Sequence, residues 1–320
     1  MSNMSNFLNE IRNQSSPAPQ NPNIPAAAKT TYTSLPVDIP PTFLSPLPNP
    51  SSTIQVEKIN FAASPLPEYS GLYALILDNV LSPDECTTLL RMAEMSAGAH
   101  RSDTSVENNG WIPAKVNMGG NYELLATDYR NSDRIIWDSE EIVKRLWARV
   151  MQGEGVRECL ETLAGEEYAC ILGNRARDRG EKWVVTEQGI NERMRFLKYG
   201  AGQYFRRHCD ARYVTPDGSQ SSHFTIHLYL NDSAQALGIP EPTTTSPNTT
   251  DPSADANLND PQQLIDTDEK PASLIRGGAT TFHSRDGRRR LDVDPKTGRV
   301  LIFQHTRLVH SGDEVRAGIK

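Results

Sequence analysis

The chain has 320 residues, 37% hydrophobic and 23% charged, enough for one sizeable core and ordinary for a globular protein with some loose segments. A net charge of -7 and a pI near 5.6 exclude a global basic field of the kind that draws in nucleic acid or an anionic membrane surface. No run approaches the roughly 20 apolar residues of a membrane span, no signal-peptide core stands in the first thirty residues, and four cysteines without CxxC spacing predict reduced thiols in a cytoplasmic or nuclear protein.

Residues 1–64 are rich in Pro, Ser, Asn and Thr, and are expected to form a disordered tail that cannot bury enough surface to offset its ordering entropy. The ordered domain is expected over 65–320. Leu72 to Leu77 reads as a strand. Ser82-Pro83-Asp84-Glu85 then supplies an N-cap, a first-turn proline and the acid of a capping box, followed by Cys86, Leu89, Leu90 and Ala93 at helical spacing. A second helix is predicted from Asp138, with Ile142, Val143, Leu146 and Val150 on one face.

From Arg193 the pattern changes to short strands: Met194 to Tyr199, Phe224 to Leu230, Ala279 to His283 and Arg299 to His305. A low-complexity stretch at 233–272 reads as an inserted surface loop between two of them. Helices followed by many short strands predict an α+β protein, a β-sandwich or barrel with helices packed on one side. The sequons at Asn13, Asn231 and Asn248 are chance matches in a chain that is not secreted.

His208-Cys209-Asp210 carries the chemistry. On an extended backbone the residues at i and i+2 project to one face, so imidazole and carboxylate converge while Cys209 turns away. Two His and one carboxylate leave coordination positions open on one side of an ion, the geometry of non-haem Fe(II). Chance alone gives about one His-x-acid pair in a chain of this composition. His310 adds the third ligand type, after the strand Val300-Leu-Ile-Phe-Gln304, and Lys320 follows ten residues later as a cation able to meet a carboxylate.

Four ordered segments make the pattern more specific. Leu197-Lys-Tyr-Gly-Ala-Gly-Gln-Tyr-Phe-Arg-Arg-His-Cys-Asp210, Ile226-His-Leu-Tyr-Leu-Asn-Asp232, Gly277-Gly-Ala-Thr-Thr-Phe282 and His310-Ser-Gly-Asp-Glu-Val-Arg-Ala-Gly-Ile-Lys320 resemble the prolyl 4-hydroxylase-like 2-oxoglutarate- and Fe(II)-dependent oxygenases. Leu77 to Glu85 resembles that family's entry into its first supporting helix. The resemblance implies a double-stranded β-helix, or jelly roll, with supporting N-terminal helices. It implies His208, Asp210 and His310 as iron ligands, and 2-oxoglutarate bound by Lys320 with Tyr229 and Tyr199 around it. It further implies O2 as co-substrate, ascorbate as accessory reductant, and hydroxylation with succinate and CO2 as co-products. Two departures stand out. Arg206-Arg207 precede His208 where many relatives carry a proline, and Lys320 ends the chain where the family's strand continues, which predicts a truncated, fraying last strand.

The remaining candidates have blander readings. His223 and His227 lie about 13 Å apart on a strand, too far for one ion, though His227 shares a face with Tyr229. His305 is a strand-end residue or a neighbour of His310. Tyr199 and Tyr229 also suit core aromatics. Arg285 and Arg288-Arg-Arg290 suit a solvated hairpin tip, and Ser221 and Cys209 have no accompanying base for hydrolysis. Two functions stay open: an active dioxygenase on an unidentified small-molecule or protein substrate, with neither nucleic acid nor membrane as partner, and a catalytically silent β-helix acting as a binding or scaffold protein.

Overall fold

The computed structural model describes residues 27–48, 53–98, 110–119, 122–240 and 274–320. In chain order the framework is β1 (Gln55–Lys58), β2 (Ala74–Asp78), α1 (Pro83–Ser96), β3 (Arg130–Asn131), β4 (Asp133–Asp138) and α2 (Glu140–Val150). There follow β5 (Arg193–Lys198), β6 (Tyr204–His208), β7 (Phe224–Leu228), β8 (Thr280–His283), β9 (Arg290–Val293), β10 (Val300–Gln304) and β11 (His310–Gly312). Between α2 and β5 lie short helices and a small hairpin, Thr162–Ala164 with Lys182–Val184. The result is a mixed fold with more strand than helix.

Two antiparallel sheets position the site. One has the order β9-β8-β11-β6-β3 and the other β7-β10-β2-β1. Strand β10 is buried along its whole length, which explains its unbroken apolar run. Its residues divide by alternation: Val300 and Ile302 pack with Leu75, Leu77, Leu89, Ile142 and Leu146 under the helices. Leu301 and Phe303 face the other way, onto Tyr229, Phe282 and Val293, and fill the space between the sheets. Each such fully buried side chain contributes about 1.5–3 kcal/mol.

Helix α1 starts as its sequence predicts. The Ser82 hydroxyl accepts from the Glu85 N–H at 3.2 Å, and the Glu85 carboxylate accepts from the Ser82 N–H at 2.9 Å. The same carboxylate holds the buried Arg149 of α2 at 3.0 Å, and Arg149 donates to the carbonyls of Val80 and Ser45. Helix α2 begins at Glu140, two residues later than expected, capped by Ser139. At the β2–α1 corner, Gly298 has φ +72° and faces the Leu81 carbonyl, where a Cβ has no room.

The domain reaches further toward the N-terminus than composition suggests. Within the expected 1–64 tail, β1 joins a sheet, and Phe43, Leu44, Ile54 and Phe61 are buried. Residues 1–26 lie outside the described residues, as does 241–272 of the expected insert, whereas Ser233 and Ala234 are fully buried parts of the domain. Among the described residues no helix is long and apolar enough to cross a membrane.

Candidate metal centre

Strand β6 delivers His208 and β11 delivers His310, and the two residues face each other as an antiparallel pair. A register shift between Phe205 and His208, a step of three residues against two on β11, puts one extra residue at Arg206-Arg207 into a bulge. Both Phe205 and His208 therefore turn inward, their rings stacked with centroids 3.8 Å apart. The Arg130 guanidinium of β3 also lies over the Phe205 ring, 4.6 Å from its centroid. Asp210 follows just past the end of β6, while Cys209 between the two is exposed, as the alternation predicts.

The nitrogens and oxygens of His208, Asp210 and His310 include one atom from each residue that lie within 4.8 Å of one another. His208 Nε2 is 3.6 Å from Asp210 Oδ1, and His310 Nε2 is 3.7 Å from Asp210 Oδ2. Ligand atoms each about 2.1 Å from an ion sit roughly 3.0–3.5 Å apart, close to these two imidazole–carboxylate distances. Each imidazole is also oriented from behind. Nδ1 of His208 lies 2.7 Å from the Arg206 carbonyl, and Nδ1 of His310 lies 3.2 Å from the Leu308 carbonyl. A carbonyl only accepts, so Nδ1 carries the proton and both Nε2 lone pairs point toward Asp210. The residues present fit a divalent metal.

The electrostatics keep this set in ligating form. Burial, with the nearby His208, pushes His310 down to about 3, so its ring is neutral at physiological pH. Burial also pushes His227 down to about 4. For Asp210 burial acts upward, but in the metal-free site, where protons can take the metal's place on the ring nitrogens, hydrogen bonding from His208 and the charge of His310 outweigh it and hold the carboxyl well below the usual range. The Thr225 hydroxyl of β7 donates to Asp210 Oδ2 and fixes the carboxylate. Phe303, 4.7 Å from His310 between ring centroids, and Phe282 at 6.4 Å wall off the buried side.

Lys320, Tyr199 and Tyr229 also come together. The Lys320 ammonium lies 5.4 Å from the Tyr199 ring centroid and 5.6 Å from that of Tyr229. Burial lowers its pKa to about 8. Tyr229 donates its hydroxyl to Thr280 Oγ1 at 2.7 Å, and both tyrosines are raised above the ordinary phenol range by burial. The main chain of Lys320 is hydrogen-bonded to Tyr199 in both directions.

The other sequence candidates separate cleanly. His227 looks into the centre, its ring 6.3 Å from His310 and 5.1 Å from Phe303. His223 is away from it, beside Arg212, and His305 pairs with His223 through the main chain. Arg289 and Arg290 are engaged with Glu68, Asp292 and Asp313, as a solvated hairpin requires. Thr225, Phe205 and Arg130 were not singled out from the sequence. Thr225 was detectable, since it shares the alternating face of His227 and Tyr229; Arg130 carries no such signal.

No family model matches the chain, and no curated protein matches it. Among solved structures it is similar to a Pseudomonas putida prolyl-4-hydroxylase, with 13% identity and a TM-score of 0.38 over 82% of this chain and 96% of that one. It is also similar to a Trichoplax adhaerens prolyl hydroxylase in complex with a hypoxia inducible factor oxygen degradation domain peptide fragment, with 14% identity and a TM-score of 0.36 over 76% and 78% of the two chains.

Proposed function

We propose that this chain is a 2-oxoglutarate- and Fe(II)-dependent dioxygenase on a double-stranded β-helix, hydroxylating a substrate in the manner of the prolyl 4-hydroxylase-like enzymes. One observation carries the reading: two imidazoles, each held from behind by a main-chain carbonyl, aim their Nε2 lone pairs at one carboxylate between two sheets. Two nitrogens and a carboxylate oxygen, with no thiolate turned inward, suit non-haem iron. Bound there, Fe(II) with 2-oxoglutarate and O2 supplies an oxidant strong enough to break a C–H bond, with succinate and CO2 as co-products.

The chain's own residues do the rest. His208, Asp210 and His310 would hold the metal through two ring nitrogens and a carboxylate oxygen. The Lys320 ammonium, below its pKa of about 8, pairs with the remote carboxylate of 2-oxoglutarate, and the Tyr229 and Tyr199 rings confine that end. Phe282, Phe303 and Phe205 exclude water from the reacting centre. The test is succinate formation from 2-oxoglutarate with Fe(II) and ascorbate, expected in the wild-type chain and lost in His208→Ala. Succinate no higher than in that variant overturns the reading and supports a silent binding or scaffold protein.

A further inference from the structure

Arg130 is a buried charge that the proposed reaction leaves unused. It stands on β3 directly opposite Phe205 of β6 and is only 9% exposed. Its guanidinium lies over the Phe205 ring, contacts the Tyr199 hydroxyl and donates to the Lys115 carbonyl at 3.4 Å. Its Nε has no partner among the described residues. A guanidinium keeps its proton throughout the range in which proteins stay folded, so a full positive charge is held inside the domain.

Nothing on the chain cancels that charge at close range. No carboxylate forms an ion pair with Arg130 among the described residues, and Glu123 is taken by Arg134 at 3.0 Å and by the Tyr32 hydroxyl. Burial lowers the Arg130 pKa, and the Asp210 carboxylate is among the groups that oppose the fall. Lys320 differs in this respect, because the remote carboxylate of 2-oxoglutarate would meet it. Arg130 faces the metal ligands with no such partner.

The geometry bounds the distance. The guanidinium carbon is 4.6 Å from the Phe205 ring centre, which is 3.8 Å from the His208 ring centre. The charge thus stands at most about 8 Å from the centre of a ligating imidazole, a range at which buried charges interact with little screening by salt. A cation held there opposes each positive charge placed on the ligand set, and so opposes Fe(III) more than Fe(II). At an effective dielectric near 20 and about 10 Å, one extra unit of charge is disfavoured roughly tenfold.

We infer that Arg130 keeps the iron of this centre ferrous, raising the Fe(III)/Fe(II) potential across the Phe205–His208 stack without touching the metal. The inference rests on the reading of His208, Asp210 and His310 as an iron site. Its chemical consequence concerns iron that has lost an electron outside productive turnover. A higher potential favours its return, in which Fe(III) gains the one electron that a reductant such as ascorbate gives up. The desolvation cost of Arg130 then has a counterpart in function.

The experiment is mediated potentiometry of the full chain loaded with Fe(II) under anaerobic conditions, with a zinc competition titration beside it. Arg130→Met is expected to lower the potential by the equivalent of about tenfold in preference for Fe(III), or 59 mV for one electron. Arg130→Lys keeps the charge and is expected to stay within about threefold of the wild type. Zinc affinity in Arg130→Met is expected to hold or rise, since the lost charge repelled a divalent ion too. A potential moved by less than about twofold, or an Arg130→Lys shift as large as that of Arg130→Met, overturns the inference. So does a fall in zinc affinity, which would make Arg130 a support for Phe205 and His208 instead. A wild-type chain that binds no Fe(II) overturns the inference and the iron-site reading together. Succinate formation is a separate readout, so a shifted potential in a chain that forms no succinate counts against the oxygenase reading alone.

Discussion

Lys320 and Tyr199 exchange both main-chain hydrogen bonds, the Tyr199 N–H donating at 2.8 Å and the Lys320 N–H at 2.9 Å. That pairing sets the ammonium over the two tyrosine rings rather than leaving it in solvent. A buried cation placed this way is worth most when a carboxylate faces it. Lys320→Met is therefore expected to raise the Kd for 2-oxoglutarate by about thirtyfold or more while metal affinity stays unchanged. The sign with pH follows from the burial-lowered pKa of about 8: the ammonium is charged below it and neutral above. Affinity for 2-oxoglutarate is expected to fall as pH rises through 8, and titration of the metal-loaded chain at pH 7 and 9 checks it. A pH-independent Kd would remove Lys320 from the co-substrate site.

What the sequence could reveal was whatever depends on near neighbours. The capping box of α1 is local, so Ser82 to Glu85 announced it. The buried strand β10 was visible as a run of apolar residues, and the i, i+2 logic of His208 and Asp210 needed only an extended backbone. The bulge that stacks Phe205 on His208 depends on the partner strand β11, which no local pattern reveals. Arg130 is buried against the usual habit of arginine. The segment around Phe43 escaped notice for another reason. Its few apolar residues are anchored by Arg145, which donates to the carbonyls of Pro40 and Phe43, and by Arg149 on Ser45. Averaging composition over 64 residues hides such an anchor.

Thr225 offers a test of the metal centre that leaves every ligand in place. Its hydroxyl donates to Asp210 Oδ2, the oxygen facing His310. Thr225→Val keeps the shape and removes the donor. Supporting contacts of this kind are commonly worth about 10- to 100-fold in metal affinity. A loss in that range is expected in a competition titration with a chelator, with no change in melting temperature of the metal-free chain beyond about 2–4 °C. Unchanged affinity would mean that Asp210 is positioned by its own loop.

Arg130 tests the opposite balance. Its guanidinium is buried, its Nε has no partner among the described residues, and burial lowers its pKa. Its contacts include the Phe205 ring, the Tyr199 hydroxyl and a long 3.4 Å hydrogen bond to the Lys115 carbonyl, but no carboxylate forms an ion pair with it among the described residues. Desolvation of a charge so thinly compensated outweighs these contacts. Arg130→Met is therefore expected to leave stability unchanged or raise it by about 1–3 kcal/mol. Urea unfolding measures it; a fall in the midpoint at constant slope would show that the cover on Phe205 is worth more than the desolvation.

Three buried imidazoles give the metal-free chain a predictable acid sensitivity. His310 is lowered to about 3, and His227 and His223 to about 4, all chiefly by burial. The unfolded chain takes up protons near 6.5 while the folded one does not. Between pH 6.5 and about 4 the unfolded state therefore binds more protons, and stability falls as pH falls. At pH 5 each fully compensated ring would account for on the order of 2 kcal/mol, since one pKa unit corresponds to 1.36 kcal/mol. The depressed carboxyl of Asp210 acts in the same direction, at lower pH. Urea midpoints of the chelated chain are expected to drop steeply from pH 7 to pH 5, and His227→Gln to flatten that slope by about one proton. A saturating divalent metal opposes the drop, because protons must compete with it for His208 and His310. A midpoint insensitive to pH in the chelated chain would mean that these rings are protonated, or solvated, in the folded state.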